Sequence, residues 1–324
     1  MTQPTSNHPN LSKQVNEFVN LLNEKNSKPL YELSPEEARE FLINLQSKYP
    51  VTNINTTVED VIISICNGKN IKVRIVRPKN NTAKLPVILY LHGGGWILGG
   101  IETHDELIKK LSIYSNSAVM FVEYSLSPEA AYPTAINETF EVLKYIYKNE
   151  DQFNIDKNKI ALAGDSAGAN MATVLALKTV KEQGPEICFQ ALFYPVTDAN
   201  MKTQSYIDFK DGPWLSKKAM EWFWNAYAPD KNIRNNPELS PINTDEKDLK
   251  ILPPALIITA ENDVLRDEGE NYAKKLDNAG VKVFNIRING TIHDFMMLNA
   301  LENSIETQGA IFIAGNIVKN ALYK

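Results

Sequence analysis

Between Ile160 and Asn170 a short apolar run meets Gly164-Asp165-Ser166-Ala167-Gly168 and gives way at once to an Ala-rich segment with Met171, Val174 and Leu175 at helical spacing. The stretch reads as strand, sharp turn, helix. A serine in such a turn can stand clear of a sheet only if its neighbours leave room, and Gly164 and Gly168 do so. Gly-x-Ser-x-Gly alone is also compatible with a glycine turn and an idle serine, so the rest of the chain has to decide.

Upstream, Leu11, Val15, Phe18, Val19 and Leu22 form one helical face after a polar start at 1–10. A second helix opens at Ser34, with Pro35 at its first position and Glu37 completing a capping box, and presents Ala38, Phe41, Leu42 and Leu45. Val58–Ile65 and Ile71–Val76, joined through Asn67-Gly68, predict a hairpin. Pro86–Leu91, Ala118–Glu123 and Cys188–Phe193 are dense apolar runs of strand length, and a helix with Ile136, Phe140, Leu143 and Tyr147 on one face follows Pro133. Strand and helix alternating in this way predict an α/β fold, with a mostly parallel central sheet and helices on both faces.

The alternation breaks between Asp198 and Asp248. Ser216 opens a helix carrying Met220, Phe223, Trp224 and Tyr227, and three of the four Trp residues fall between Trp214 and Trp224. An aromatic stripe is ordinarily core. Inserted between core strands, it is expected to form a cap, with Trp214 or Trp222 facing a ligand. The strand pattern resumes at Pro254–Ala260, followed by a helix over Gly269–Ala279, a strand over Val281–Ile288 and a last helix from about Leu301 to Leu322.

Bulk properties narrow the partners. A formal charge of −5 with scattered Lys residues leaves no basic footprint for nucleic acid. Cys66 and Cys188 lie far apart in apolar runs and read as small buried hydrophobes, pointing to reduced thiols and a cytoplasmic chain. No run of about 18 apolar residues occurs, and no basic segment precedes an apolar core at the start, so neither a membrane span nor secretion is expected.

A serine nucleophile needs a neighbouring base, and the base needs a partner that fixes its tautomer. Four histidines are available. His8 is in the polar start, His92 in a glycine loop and His104 in a polar stretch, whereas His293 follows a strand by the short loop Asn289–Ile292. For the acid, Asp263 directly follows the strand ending at Ala260. Glu261, Asp267 and Glu268 compete, but the last two are accounted for as charges at a helix N-terminus. The order Ser166, Asp263, His293 is the one α/β-hydrolases use. His92-Gly93-Gly94-Gly95-Trp96, after a buried strand, supplies side-chain-free backbone N–H groups for a developing oxyanion. It fails as a dinucleotide fingerprint: counted from Gly93 the last glycine position holds Leu98, and counted from Gly94 the second holds Trp96.

Together, His92–Trp96, Gly164–Gly168, the run Asp263–Gly269 and His293-Asp294-Phe295 resemble the bacterial hormone-sensitive-lipase-like esterase family over nearly the whole chain. The resemblance implies an α/β-hydrolase fold with a helical cap and hydrolysis of carboxylic esters of short to medium acyl chains. It implies Ser166, Asp263 and His293 as triad and the N–H groups of Gly94, Gly95 and Ala167 as oxyanion hole; Trp96, Tyr194, Trp214 and Trp222 are the expected candidates for the substrate pocket. The expected division is 1–50 as helices contributing to the cap, 51–198 and 249–324 as catalytic core, and 199–248 as cap insertion. A small-molecule ester is the expected partner, with no metal or cofactor, and a homodimer through the Val281–Ile288 strand and C-terminal helix is possible on the family pattern. Three departures stand out: Glu123 and Ser125 where Asp and Arg are usual, Val264 in place of Pro, and Asp294 in place of Gly at the mouth of the site. A ligand-binding protein on the same scaffold, or an amidase or lipase using the same triad, are the alternatives; receptors of this kind tend to lose the base, and His293 is present.

Overall fold

The computed structural model describes residues 10–24, 28–50, 54–66 and 68–324; His8 and the turn residue Asn67 lie outside them. Helix α1 spans Lys13–Glu24 and α2 Pro35–Ser47. The predicted capping box is formed: Glu37 N donates to Ser34 Oγ at 3.2 Å and Ser34 N to Glu37 Oε2 at 2.8 Å. Next come β1 (Thr56–Ser64), β2 (Asn70–Pro78), β3 (Leu85–Leu91), α3 (Ile101–Ser115), β4 (Ala118–Glu123), α4 (Thr134–Lys148), β5 (Ile155–Asp165), α5 (Ala167–Lys181) and β6 (Phe189–Phe193). Short α6 (Gln204–Asp208), α7 (Lys217–Tyr227) and short α8 (Glu246–Leu249) fill the insertion, and β7 (Ala255–Asn262), α9 (Arg266–Asn278), β8 (Val283–Ile292) and α10 (Ile305–Leu322) complete the chain.

Among the described residues the sheet has eight strands in the order β1-β2-β4-β3-β5-β6-β7-β8. β1–β2 and β2–β4 are antiparallel and every later pair is parallel. All seven residues of β3 and all five of β6 are buried. Strands covered on both faces have no solvent side to mark with polar residues, which is why they read as unbroken apolar runs. The β1–β2 hairpin is covered on one face only and leaves Val58 and Ile62 exposed.

Besides the short α6 and α8, one long helix escaped the sequence pattern. α3 buries Ile101, Leu107, Ile108 and Leu111, but its length also carries six charged or histidine side chains, so His104 reads as part of a polar stretch although it is itself buried. The cysteines are corrected too: Cys66 is exposed and Cys188 half-buried, their thiols donating to Glu141 Oε2 and the Asn158 carbonyl.

The inserted segment and the N-terminal helices meet over the carboxyl ends of the strands. Ser216 Oγ accepts from Ala219 N to start α7, whose Met220, Phe223, Trp224 and Tyr227 are buried. Phe18 of α1 lies 5.8 Å from Trp214. Arg39 of α2 donates to the carbonyls of Ile97 and Ser127 and forms a two-pronged pair with Glu129. No helix among the described residues is long and apolar enough to cross a membrane.

Candidate active site

Ser166 sits in the turn between β5 and α5 with φ 52° and ψ −120°, a conformation an L-residue occupies only when its surroundings impose it. The surroundings are visible: Ser166 N donates to the Phe193 carbonyl at 2.8 Å, and the Asn170 and Val196 amides donate to the Ser166 carbonyl. Gly168 comes so close to the end of the neighbouring strand β3 that a Cβ there would run into the Leu91 and His92 carbonyls. The turn thus forms only with glycine at that position.

His293 Nε2 lies 2.9 Å from Ser166 Oγ, and its Nδ1 lies 2.7 Å from Asp263 Oδ2. A carboxylate only accepts, so Nδ1 carries the hydrogen and the neutral ring offers Nε2 to the serine hydroxyl. Asp263 is held by the Leu265 amide at 2.9 Å, and all three side chains are buried. Burial disfavours a charged imidazole, but the carboxylates of Asp263 and Asp294, the Asp263 hydrogen bond and Asp165 outweigh it and bring His293 up to about 9. Of the competing acids, Glu261 accepts from Gly290 N and Asp267 from Ser205 N. Glu268 does not act as a helix-end charge: it turns inward and accepts from the Thr197 and Asp198 amides, and burial pushes its carboxyl well up.

Gly94 and Gly95 follow β3 with φ of 99° and 61°, and with Ser166 and His293 they line one cavity of about 410 Å³. Ala167 is the first residue of α5, beside Ser166. The cavity walls come from α1 and α2 on one side (Leu22, Phe41) and from the insertion on the other (Trp214, Phe223). Of the four expected pocket residues, only Trp214 lines this space. Trp96 is instead buried, stacked on Tyr227 at 4.2 Å and against Trp224 at 4.8 Å. Tyr194 is buried with its ring edge-on to His293 at 4.9 Å, a supporting contact, and Trp222 packs against Phe223.

A second layer was not legible beforehand. Asp165, within the serine motif, is fully buried and accepts from Tyr90 OH at 2.7 Å, Gly93 N at 3.0 Å and His104 Nε2 at 3.2 Å. It ties β5 to the glycine loop and to α3. Burial alone would raise its carboxyl, but His104 and the Tyr90 hydroxyl overcome this and hold it below the usual range. His92, buried and stacked on Tyr124 at 4.2 Å, contacts the Gly93 carbonyl, and burial first, then His104, drives its imidazole down to about 3. It is a neutral strut. At the departures, Glu123 accepts from Ile101 N, and Ser125 donates through N and Oγ to Glu138, which Lys69 also pairs.

Residues 88–297 match the family described as alpha/beta hydrolase fold. An alpha/beta hydrolase of Acanthamoeba polyphaga mimivirus is 46% identical over 313 residues, 96% of this chain and 88% of that one. Carboxylesterase NlhH of Mycobacterium tuberculosis is 38% identical over 227 residues, 70% of this chain and 71% of that one. The crystal structure of a thermostable esterase from Pseudomonas putida ECU1011 superposes with a TM-score of 0.95 at 41% identity, covering 98% of this chain and 99% of that one. With this fold and these relatives, the chain belongs to the alpha/beta hydrolase fold family.

Proposed function

We propose that the chain is a serine carboxylesterase working through Ser166, His293 and Asp263, a reading carried by the unbroken hydrogen-bonded line from Asp263 Oδ2 through His293 to Ser166 Oγ at one cavity. His293 Nε2 takes the Oγ proton as Oγ bonds to the ester carbonyl carbon. The negative charge on the carbonyl oxygen is met by the N–H groups of Gly94, Gly95 and Ala167. Collapse of the tetrahedral intermediate breaks the C–O bond to the alcohol, which leaves with the Nε2 proton. Water, deprotonated by His293, then attacks the acyl-enzyme and releases the acid.

The amino-terminal helices α1 and α2 contribute with residues 199–248 to a cap over the cavity, and Trp214 is its substrate-facing aromatic. A volume of about 410 Å³ stands near the lower end of ligand pockets and favours short to medium acyl chains. The two free cysteines support residence in the cytoplasm. The exposed edge of β8, with Phe284 48% accessible, supports a homodimer through that strand.

The test is initial hydrolysis rate over p-nitrophenyl esters from acetyl to palmitoyl, with Ser166→Ala alongside. The expected result is a maximum at short chains and a loss of roughly 10⁵–10⁶-fold in the variant. Hydrolysis undiminished in Ser166→Ala would overturn the assignment.

A further inference from the structure

Asp294 stands directly after the base in the left-handed region, φ 64°, where glycine is conformationally cheapest and where the resembling family commonly has glycine. A side chain kept at such a position calls for a reason. Its two oxygens are both engaged. Oδ1 lies 3.3 Å from His293 Nε2, the nitrogen that faces Ser166 Oγ, and Oδ2 accepts from Trp214 Nε1 at 2.9 Å. The side chain is 18% exposed and lines the cavity. One carboxylate therefore joins the loop ahead of α7 to the proton-accepting atom of the proposed base.

We propose that Asp294 is a positioning residue, a second carboxylate clamp on His293 anchored by Trp214, which holds the imidazolium proton after it has left Ser166 and sets the pH at which the enzyme becomes active. The inference rests on the triad reading above. In the neutral ring the Nε2 lone pair accepts from the Ser166 hydroxyl, and the Asp294 carboxylate 3.3 Å away sets a negative charge beside that lone pair, an unfavourable arrangement. Once Nε2 carries the serine proton the same contact is attractive, a charge-assisted N–H···O interaction beside the reacting oxygen. Asp294 gains no proton: Oγ–H breaks, Nε2–H forms, and the proton passes to the leaving alkoxide as the ester C–O bond breaks. Asp294 thus favours the charged intermediate and opposes its discharge in the resting enzyme.

The other groups facing His293 cannot substitute for this contact. Asp263 is on the far nitrogen, Asp165 acts from the end of β5 without touching the ring, and Tyr194 presents a ring edge. Lys28, Lys210, Asp211 and Lys218 line the same cavity nearer its rim and are exposed. The direction of the His293 shift, to which Asp294 contributes after burial and Asp263, agrees with the geometry.

The experiment measures kcat/KM for a short-chain ester against pH in wild type, Asp294→Asn and Asp294→Gly. In parallel, His293 is titrated by NMR in Ser166→Ala and in Ser166→Ala/Asp294→Asn. Removing an opposite charge at this range is expected to move the acid-limb midpoint and the imidazole titration down together by about one pH unit. Asp294→Gly, free of strain at this φ, is expected to do the same should the Asn protein fold poorly. Trp214→Phe, which removes only the N–H, is expected to lower kcat, and combining it with Asp294→Asn should add little. Midpoints that stay in place in a folded, active variant overturn the clamp, and strictly additive losses overturn its anchoring. Hydrolysis surviving Ser166→Ala would instead defeat the triad reading, and the NMR arm reads the clamp without any turnover.

Discussion

Ser166 in its disallowed-looking turn and Asp165 beside it divide the labour of one motif: the first is aimed at the cavity, the second holds the wall behind it. Asp165→Ala would leave the Tyr90 hydroxyl, the Gly93 amide and His104 buried without their acceptor. Breaking a buried charged cluster of this kind costs about 3–5 kcal/mol, expected as a drop in the urea midpoint with an unchanged slope. His293 carries a pH prediction of its own. Its folded value, raised to about 9, lies above the 6.5 of a free imidazole because the carboxylates of Asp263 and Asp294 favour the charged ring against burial. In the proposed mechanism activity needs the neutral ring, so kcat/KM is expected to rise with pH toward about 9. The stability that comes from the charged ring runs the other way, fully present below 6.5 and lost as pH climbs through about 9. A kcat/KM profile and a set of urea curves from pH 6 to 10, on the order of the range these shifts span, check both signs.

Among the elements, α2 reaches furthest into the site without contributing a group to it. Arg39 donates from Nε to the Ile97 carbonyl at 2.8 Å and from a terminal nitrogen to the Ser127 carbonyl at 3.0 Å, while its fork grips Glu129 and holds that carboxyl down at about 2. The Glu129 contribution is present above the usual carboxylate range and fades as pH falls through about 2. The guanidinium thereby fixes the loop that carries Gly94 and Gly95 from two directions. Arg39→Lys keeps the charge but cannot reproduce a planar fork. It should lower kcat/KM about tenfold through a looser loop at the proposed oxyanion hole, with a stability loss of only about 1–2 kcal/mol. Matched ester kinetics and thermal unfolding separate the two effects. α3 makes the opposite point: its buried stripe and His104 lock onto Asp165, yet its polar content hid it in the sequence.

At the scale of the whole molecule, the sheet is hairpin-edged at β1 and open at β8, where every residue of Val283–Ile288 is half-buried or exposed and Phe284 is among the exposed. The proposed homodimer makes a direct prediction: Phe284→Lys should shift the sedimentation-velocity mass to that of one chain while leaving the ester profile intact, because β8 meets the site only through the loop after it. A wild-type protein sedimenting as one chain removes the dimer. The sequence alone determined the α/β alternation and the positions of Ser166, Asp263, His293 and the glycine loop. Buried parallel strands must be continuously apolar, a sharp turn must have glycine where backbones touch, and chain order limits which acid and base can meet. The tertiary structure alone decided that Trp96 and Tyr194 pack behind the cavity, that Glu268 turns inward to backbone amides, that Asp165 ties three elements together, and that Asp294 links Trp214 to His293. Apart from the step from Asp294 to the adjacent His293, these are contacts between residues tens of positions apart along the chain, and local periodicity carries no information about which distant atoms will fill the space a side chain points into.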